Sequence, residues 1–258
     1  MLGEFDQPVP PPAGDDLLIL FARDARPTVR QVQEMCAASD FVDVGGPDLH
    51  DYPHPVDIAP PNGVGLQRSG LTFDFVGLAP GPAVPVPDLP HIAQLPDDMG
   101  FLGAHATSLR LGPHIEAGRR SQAILREWFA LAADILAELG GQGICWVPAE
   151  GVYSLHALST NLAGWDALGD TPVQMLGKFR RTLDGAVQSQ GLSFFTGQEF
   201  RIEPSMVRDD DDGLARLIFS HLFYAGTLLE TAQLVAPDGH ALRLKPSENG
   251  RYVRVWPG

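Results

Sequence analysis

Apolar residues recur along the chain in two rhythms, and each rhythm predicts an element. The clearest helical rhythm runs from Ile124 to Leu139. Projected at 100° per residue, Phe129, Leu136, Leu125, Ala132, Leu139, Trp128, Ile135, Ile124 and Leu131 fill one arc of roughly 160°. Arg120, Glu127, Asp134 and Glu138 form a wet ridge opposite, and Ala130, Ala133 and Ala137 occupy most of the remainder. Gly140-Gly141 ends the helix, because glycine takes the left-handed C-terminal conformation without steric cost. Pro113 stands near its start, where a missing N–H does no harm. The apolar run Ile144 to Val147 then reads as a buried strand. With a strand beginning at His105, residues 105–154 form a strand–helix–strand unit, which favours two parallel strands joined by a right-handed crossover.

The same reading extends along the chain. Residues 1–14 are acidic and proline-rich and read as a disordered or loosely attached arm, since the prolines from Pro8 to Pro12 disfavour helix and sheet alike. Leu17–Phe21 is a short apolar run, hence a central strand. Thr28 can cap a helix to about Ala38 that buries Val29, Val32, Met35 and Cys36. Residues 41–44 form the next strand. Residues 45–65, rich in Pro, Gly, Asp and His, read as a loop. Leu71–Leu78 alternates, as a half-buried strand does. The proline-rich stretch 79–96 fits no regular element and reads as a flap over one edge of the sheet.

Further on, Val173, Met175, Gly177 and Phe179 recur every second residue and predict a strand over 173–180. A second strand is expected over 192–203, bulged at Gly197. A helix follows the acidic run Asp209–Asp212, with Leu214, Leu217, Ile218, Leu222 and Phe223 on one face. Asp238-Gly239 and Asn249-Gly250 are hairpin turn signals separating three final strands. The expected class is α+β: a mixed β-sheet with helices on one face, built as two ferredoxin-like halves. Residues 15–258 read as a single domain or as two similar halves, 15–165 and 166–258.

Charge narrows the partners. The chain has 258 residues and a formal net charge of −14. Lys and Arg are scattered, so nucleic acid and anionic membrane are not expected partners. No apolar run reaches the about 18 residues of a transmembrane helix. The N-terminus lacks the basic and apolar regions of a secretory leader, so a cytoplasmic protein is expected. Cys36 and Cys145 lie in apolar segments far apart and read as buried thiols.

The common catalytic and cofactor signatures do not occur. No GxxxxGK[ST], GxSxG, HExxH or CxxC is present, and Gly140, Gly141 and Gly143 follow a helix, the reverse of a dinucleotide turn. No cofactor and no metal site are expected. The loop from Asp48 to Asp57, with His50 and His54, reads as polar surface rather than a metal site. His105, Glu150 and His156 are the candidate acid–base groups, because Glu and His beside a strand's C-terminal end can share a proton-transfer task. Trp146 and Tyr153 flank them as candidate ligand contacts.

The stretches HATSLRLG (105–112), GQGICWVPAEGVYS (141–154), TPVQMLGKFRR (171–181), SFFTGQEFRIEP (193–204) and APDGHALRLKPS (236–247) resemble, in order and spacing, the bacterial domain of unknown function family 4261. The matching positions are His105, Trp146, Thr196, Gly197 and Glu199, and the resemblance covers roughly residues 70–246. The chain departs from the family's pattern in a shortened segment between Thr196 and Glu199 and in the proline-rich stretch 80–96. The resemblance implies no known activity. It adds Thr196 and Glu199 to the candidate ligand contacts, and the family's gene neighbourhoods imply an interaction role.

Two functions remain open from sequence. One is a non-catalytic binding or protein-interaction domain with a protein partner or a homo-oligomeric state. The other is a small-molecule enzyme or ligand-binding protein with a cleft near residues 146–156.

Overall fold

The computed structural model describes residues 17–22, 24–39, 43–44, 63–87, 105–168, 172–207, 212–236 and 238–258. It is an α+β protein with two sheets. The described residues divide into two compact units, one of residues 17–147 and 152–168, the other of residues 148–151 and 172–258.

The first unit contains β1 (Leu17–Phe21), α1 (Val29–Ala38), β2 (Asp43–Val44), β3 (Gly63–Arg68), β4 (Leu71–Val76), β5 (His105–Leu111), α2 (Gln122–Glu138), β6 (Gly143–Trp146), β7 (Gly151–Tyr153) and α3 (Leu155–Leu168). Its sheet order is β2-β3-β4-β5-β1-β6-β7. β5 and β6 both pair antiparallel with β1, one on each side. They are therefore parallel to each other but not adjacent, because β1 occupies the gap that the expected crossover leaves. The inner order β4-β5-β1-β6, with α1 and α2 as its two crossovers, is the split β-α-β arrangement of the ferredoxin-like fold.

This order follows from β1. All five of its residues are fully buried, so both faces of the strand need cover, and no polar alternation is possible. On the α2 side, Trp146 packs against Trp128 and Phe129, with ring centroids 5.7 and 5.2 Å apart. The Trp128 indole donates to the Leu109 carbonyl at 2.8 Å, which satisfies its one polar atom. The other face, Leu18, Leu20, Ala106 and Cys145, is covered by Val84 and Val86. The described part of the proline-rich stretch thus lies on the sheet. Val84 N–H donates to the Ala106 carbonyl, and Arg26 holds the carbonyls of Gly77 and Gly81. Gly77 must be glycine here: its φ is +83°, and a Cβ would lie 2.8 Å from Val84 Cγ2.

The α1 cap forms as expected, Thr28 and Gln31 exchanging both bonds of a capping box. The wet ridge of α2 is less open than its sequence implies. Arg68, in the β3–β4 hairpin, donates to Glu127 and to Asp134.

The second unit contains α4 (Val173–Leu176), β8 (Lys178–Arg181), β9 (Val187–Gln190), α5 (Leu192–Thr196), β10 (Glu199–Ile202), α6 (Asp212–Ala225), β11 (Ala232–Val235), β12 (Ala241–Pro246) and β13 (Tyr252–Pro257). The order is β11-β12-β13-β10-β9-β8, with β10 and β13 parallel and the other pairs antiparallel. The sheet is mixed, but its order is not that of the first unit. The strand expected over 173–180 is a single helical turn followed by β8. The strand expected over 192–203 is α5, a left-handed Gly197 and then β10. Phe200 faces the helical layer, where Phe179 lies between it and Phe219 of α6.

Candidate functional site

Alternation puts polar side chains on the face of the second sheet away from α6. In β12, Leu242 and Leu244 are buried while Arg243 and Lys245 are exposed. In β13, Val253 and Val255 are buried, so Tyr252, Arg254 and Trp256 emerge together. The register then sets Arg201 of β10 beside Arg254, and Arg254 beside Lys245, while Arg243 stands beside Trp256. Gln188 of β9 extends the row beyond Arg201. Of these, Gln188, Arg201, Lys245, Tyr252, Arg254 and Trp256 line one groove of about 980 Å³ together with Asp184, Glu203 and the Ser247–Asn249 turn, while Arg243 stands outside its lining.

The groove is held by charge-assisted bonds. Glu203 accepts from Arg254 Nε at 2.6 Å and lies 3.8 Å from Arg201 Nε. Asp184 binds the other end of Arg201. The Thr182 hydroxyl, donating to Asp184 at 2.5 Å, and the Arg201 guanidinium hold that carboxyl below the usual range. Arg254 also lies over the Trp256 ring at 4.7 Å, and Arg243 approaches the same ring at 5.7 Å. Gln188 donates to the Tyr252 hydroxyl at 3.0 Å. Arg254 is therefore fixed through Nε and through one face, which leaves its two terminal nitrogens without a partner among the described residues. Ser247 donates to Asn249 and accepts from the Tyr252 N–H, so its hydroxyl is already committed.

The residues singled out from sequence are dispersed over the two units. Glu150 and Thr196 and Glu199 belong to the second; His105, Trp146, Tyr153 and His156 belong to the first. Trp146 is fully buried in the aromatic core beside α2. Burial pushes the Tyr153 hydroxyl well above its ordinary pKa, and Cys145 adds to the shift. His105 opens β5 opposite Phe21, and His156 lies in the first turn of α3. Neither histidine side chain has a hydrogen bond or ion pair to a described residue.

Glu150 is engaged differently. Its backbone is left-handed, φ 48°, which few residues other than glycine adopt. Arg180 holds its carboxylate at 2.6 Å, and the Lys178 ammonium holds its carbonyl.

Thr196 and Glu199 have defined internal partners. The Thr196 hydroxyl donates towards Leu192 and Gln198 carbonyls and accepts from the Gln198 N–H. The Glu199 carboxylate accepts from the Ser189 hydroxyl at 2.6 Å and from the N–H groups of Gly191, Leu192 and Ser193 at 2.9, 3.3 and 2.9 Å. Those N–H groups begin α5 and would otherwise have no acceptor. Gly191 permits the approach: its φ is +101°, and a Cβ would lie 2.6 Å from the Leu176 carbonyl oxygen.

Sequence reading missed Arg201, Arg243, Lys245, Arg254 and Trp256 as a group. Alternation in β12 and β13 was a usable signal for four of them. Nothing local announces that Arg201 joins them, because the β10–β13 pairing spans half the unit. Among the described residues, no group of three or more His, Cys, Asp and Glu could hold a metal ion. The loop with His50 and His54 lies outside the described residues. No described helix is long and apolar enough to cross a membrane. In comparisons with known proteins, the chain matches no family model, no curated protein and no solved structure.

Proposed function

We propose that the protein is a non-catalytic binding domain that engages a protein partner through the groove on the second sheet. One observation carries this reading: Arg254 is preorganised by Glu203 and Trp256, with its terminal nitrogens turned to no described group. A guanidinium fixed this way loses little freedom when it binds. The groove offers recognition groups: an aromatic ring, amides and guanidinium donors. Its described lining includes no histidine or cysteine, and its one hydroxyl of the serine type is committed to the turn. An interaction role also agrees with what the resemblance to family 4261 implies. A cytoplasmic location is part of the proposal and rests on Cys36 and Cys145, both buried thiols outside any disulfide.

Selection of peptides from a random displayed library against the purified protein tests this reading. The selected peptides are expected to compete with one another and to lose affinity on the Trp256→Ala and Tyr252→Ala variants. Selection of no binder, or of binders that both variants retain at full affinity, overturns it.

A further inference from the structure

The ligand's charge can be read from how the groove's cations are arranged, given that the groove is the binding site. Arg201, Arg254 and Lys245 stand side by side on three neighbouring strands. Like charges directly opposite one another destabilise a sheet. Carboxylates answer only part of this row: Asp184 pairs with Arg201, and Glu203 is shared between Arg201 and Arg254. Lys245 and Arg243 make no ion pair with a described residue, and Arg243 reaches only the Trp256 ring. The lining as a whole is balanced, Arg201, Lys245 and Arg254 against Asp184, Glu203 and Glu248, so the unanswered positive charge is local to Lys245 and the terminal nitrogens of Arg254, which no described carboxylate holds.

We propose that the groove takes the carboxylates of an extended acidic peptide, one of them held by Arg254 and Lys245. A guanidinium and a carboxylate fit as paired forks, and Arg254 is already oriented for that. The groove's own acids decide between a peptide and a phosphodiester strand. Asp184, Glu203 and Glu248 lie along the same lining. A strand with a charge at every link would meet them repeatedly, whereas a peptide can place one carboxylate at Arg254 and Lys245 and the others clear of the acids. Tyr252 and Trp256 lie on the same lining and offer apolar surface to the peptide's neutral side chains.

Trp256 supplies the readout. The other tryptophans, Trp128, Trp146 and Trp165, are 2%, 0% and 5% exposed, while Trp256 is partly exposed beside Arg254. The full chain is titrated, with tryptophan emission followed, against a short peptide of alternating glycine and glutamate, its glutamine counterpart, short oligothymidylate and inorganic phosphate. The acidic peptide is expected to give a saturable change, to bind at least about tenfold more tightly than the glutamine peptide, and to weaken as salt is raised. The double variant Arg243→Gln/Lys245→Gln is expected to lose about tenfold in affinity with a denaturation midpoint that does not fall. Tighter binding of oligothymidylate or phosphate, equal binding of the two peptides, or full affinity in the double variant overturns the proposal. Neutral library-selected peptides that still need Trp256 would leave the binding reading standing while the acidic ligand falls. Failure of every peptide at the groove removes both.

Discussion

The two sheets use alternation in opposite ways. At the centre of the first, β1 alternates nothing: its five residues are all fully buried, between the α2 aromatic layer and the Val84–Val86 cover. At the centre of the second, β13 alternates throughout, with Val253 and Val255 under the helices and Tyr252, Arg254 and Trp256 in the groove. A strand buried on both faces has no side chain left with which to meet a ligand. A strand buried on one face keeps every second side chain for that purpose, and its register with its neighbours decides which chemistry they make together. The binding reading therefore belongs to the second sheet, and packing accounts for the first.

Breaking each sheet at its own centre tests this contrast. The largest effect is expected at Trp146, which is fully buried against Trp128 and Phe129. Trp146→Ala should cost about 3–5 kcal/mol of stability in denaturant unfolding. A loss below about 1 kcal/mol would mean that this face is not packed as described.

A smaller effect separates the two acids of the second sheet. Glu199→Ala removes the acceptor for the Ser189 hydroxyl and for three N–H groups at the start of α5, and is expected to cost roughly 2–4 kcal/mol. Glu203→Ala removes the anchor on Arg254 Nε and is expected to cost less than Glu199→Ala, while weakening peptide binding. The reverse ranking would place Glu199 in recognition and Glu203 in the fold.

The smallest effect carries a pH signature. Burial raises the carboxyl pKa of Asp74 in the first sheet, against the opposing pull of Arg110 across the strand pair. A carboxyl with a raised folded pKa disfavours folding once it ionises, so its contribution falls as pH rises through that value. Asp74→Asn should then stabilise the fold near neutral pH by less than about 1 kcal/mol, because the side chain is partly solvated. The gain should vanish below the ordinary carboxylate pKa of 3.8. A gain that is equal at both pH values would contradict burial as the cause.

The strongest periodicities were legible in the sequence. The α2 stripe, the β1 run, the Thr28 cap and the terminal meander stand where their patterns put them. The failures have particular causes. Val173–Leu176 and Leu192–Thr196 are helices of four and five residues, too short to show a helical period, so the alternation around them read as strand. β9, Val-Gln-Ser-Gln, has a single apolar residue, and β3 contains Gly63 and Gly65, so neither shows the apolar rhythm of a strand. α3 carries apolar residues with little preference for one face and so lacked a stripe. The site was less legible than the fold. His105, Trp146 and Glu150 stood out because they flank a strong helix and strand, yet Trp146 packs in the core and Glu150 pairs with Arg180. The groove depends on non-local register, above all the parallel β10–β13 pairing, which brings Arg201 beside Arg254.

Backbone amide chemical shifts, followed during titration of the isotope-labelled chain with the acidic peptide, test the central claim most directly. The account predicts saturable changes concentrated in residues 199–204 and 241–256, with the core amides of β1 and α2 unmoved. Changes centred on His105 and residues 146–156 instead would contradict it and would locate the ligand in the cleft that the sequence left as the alternative.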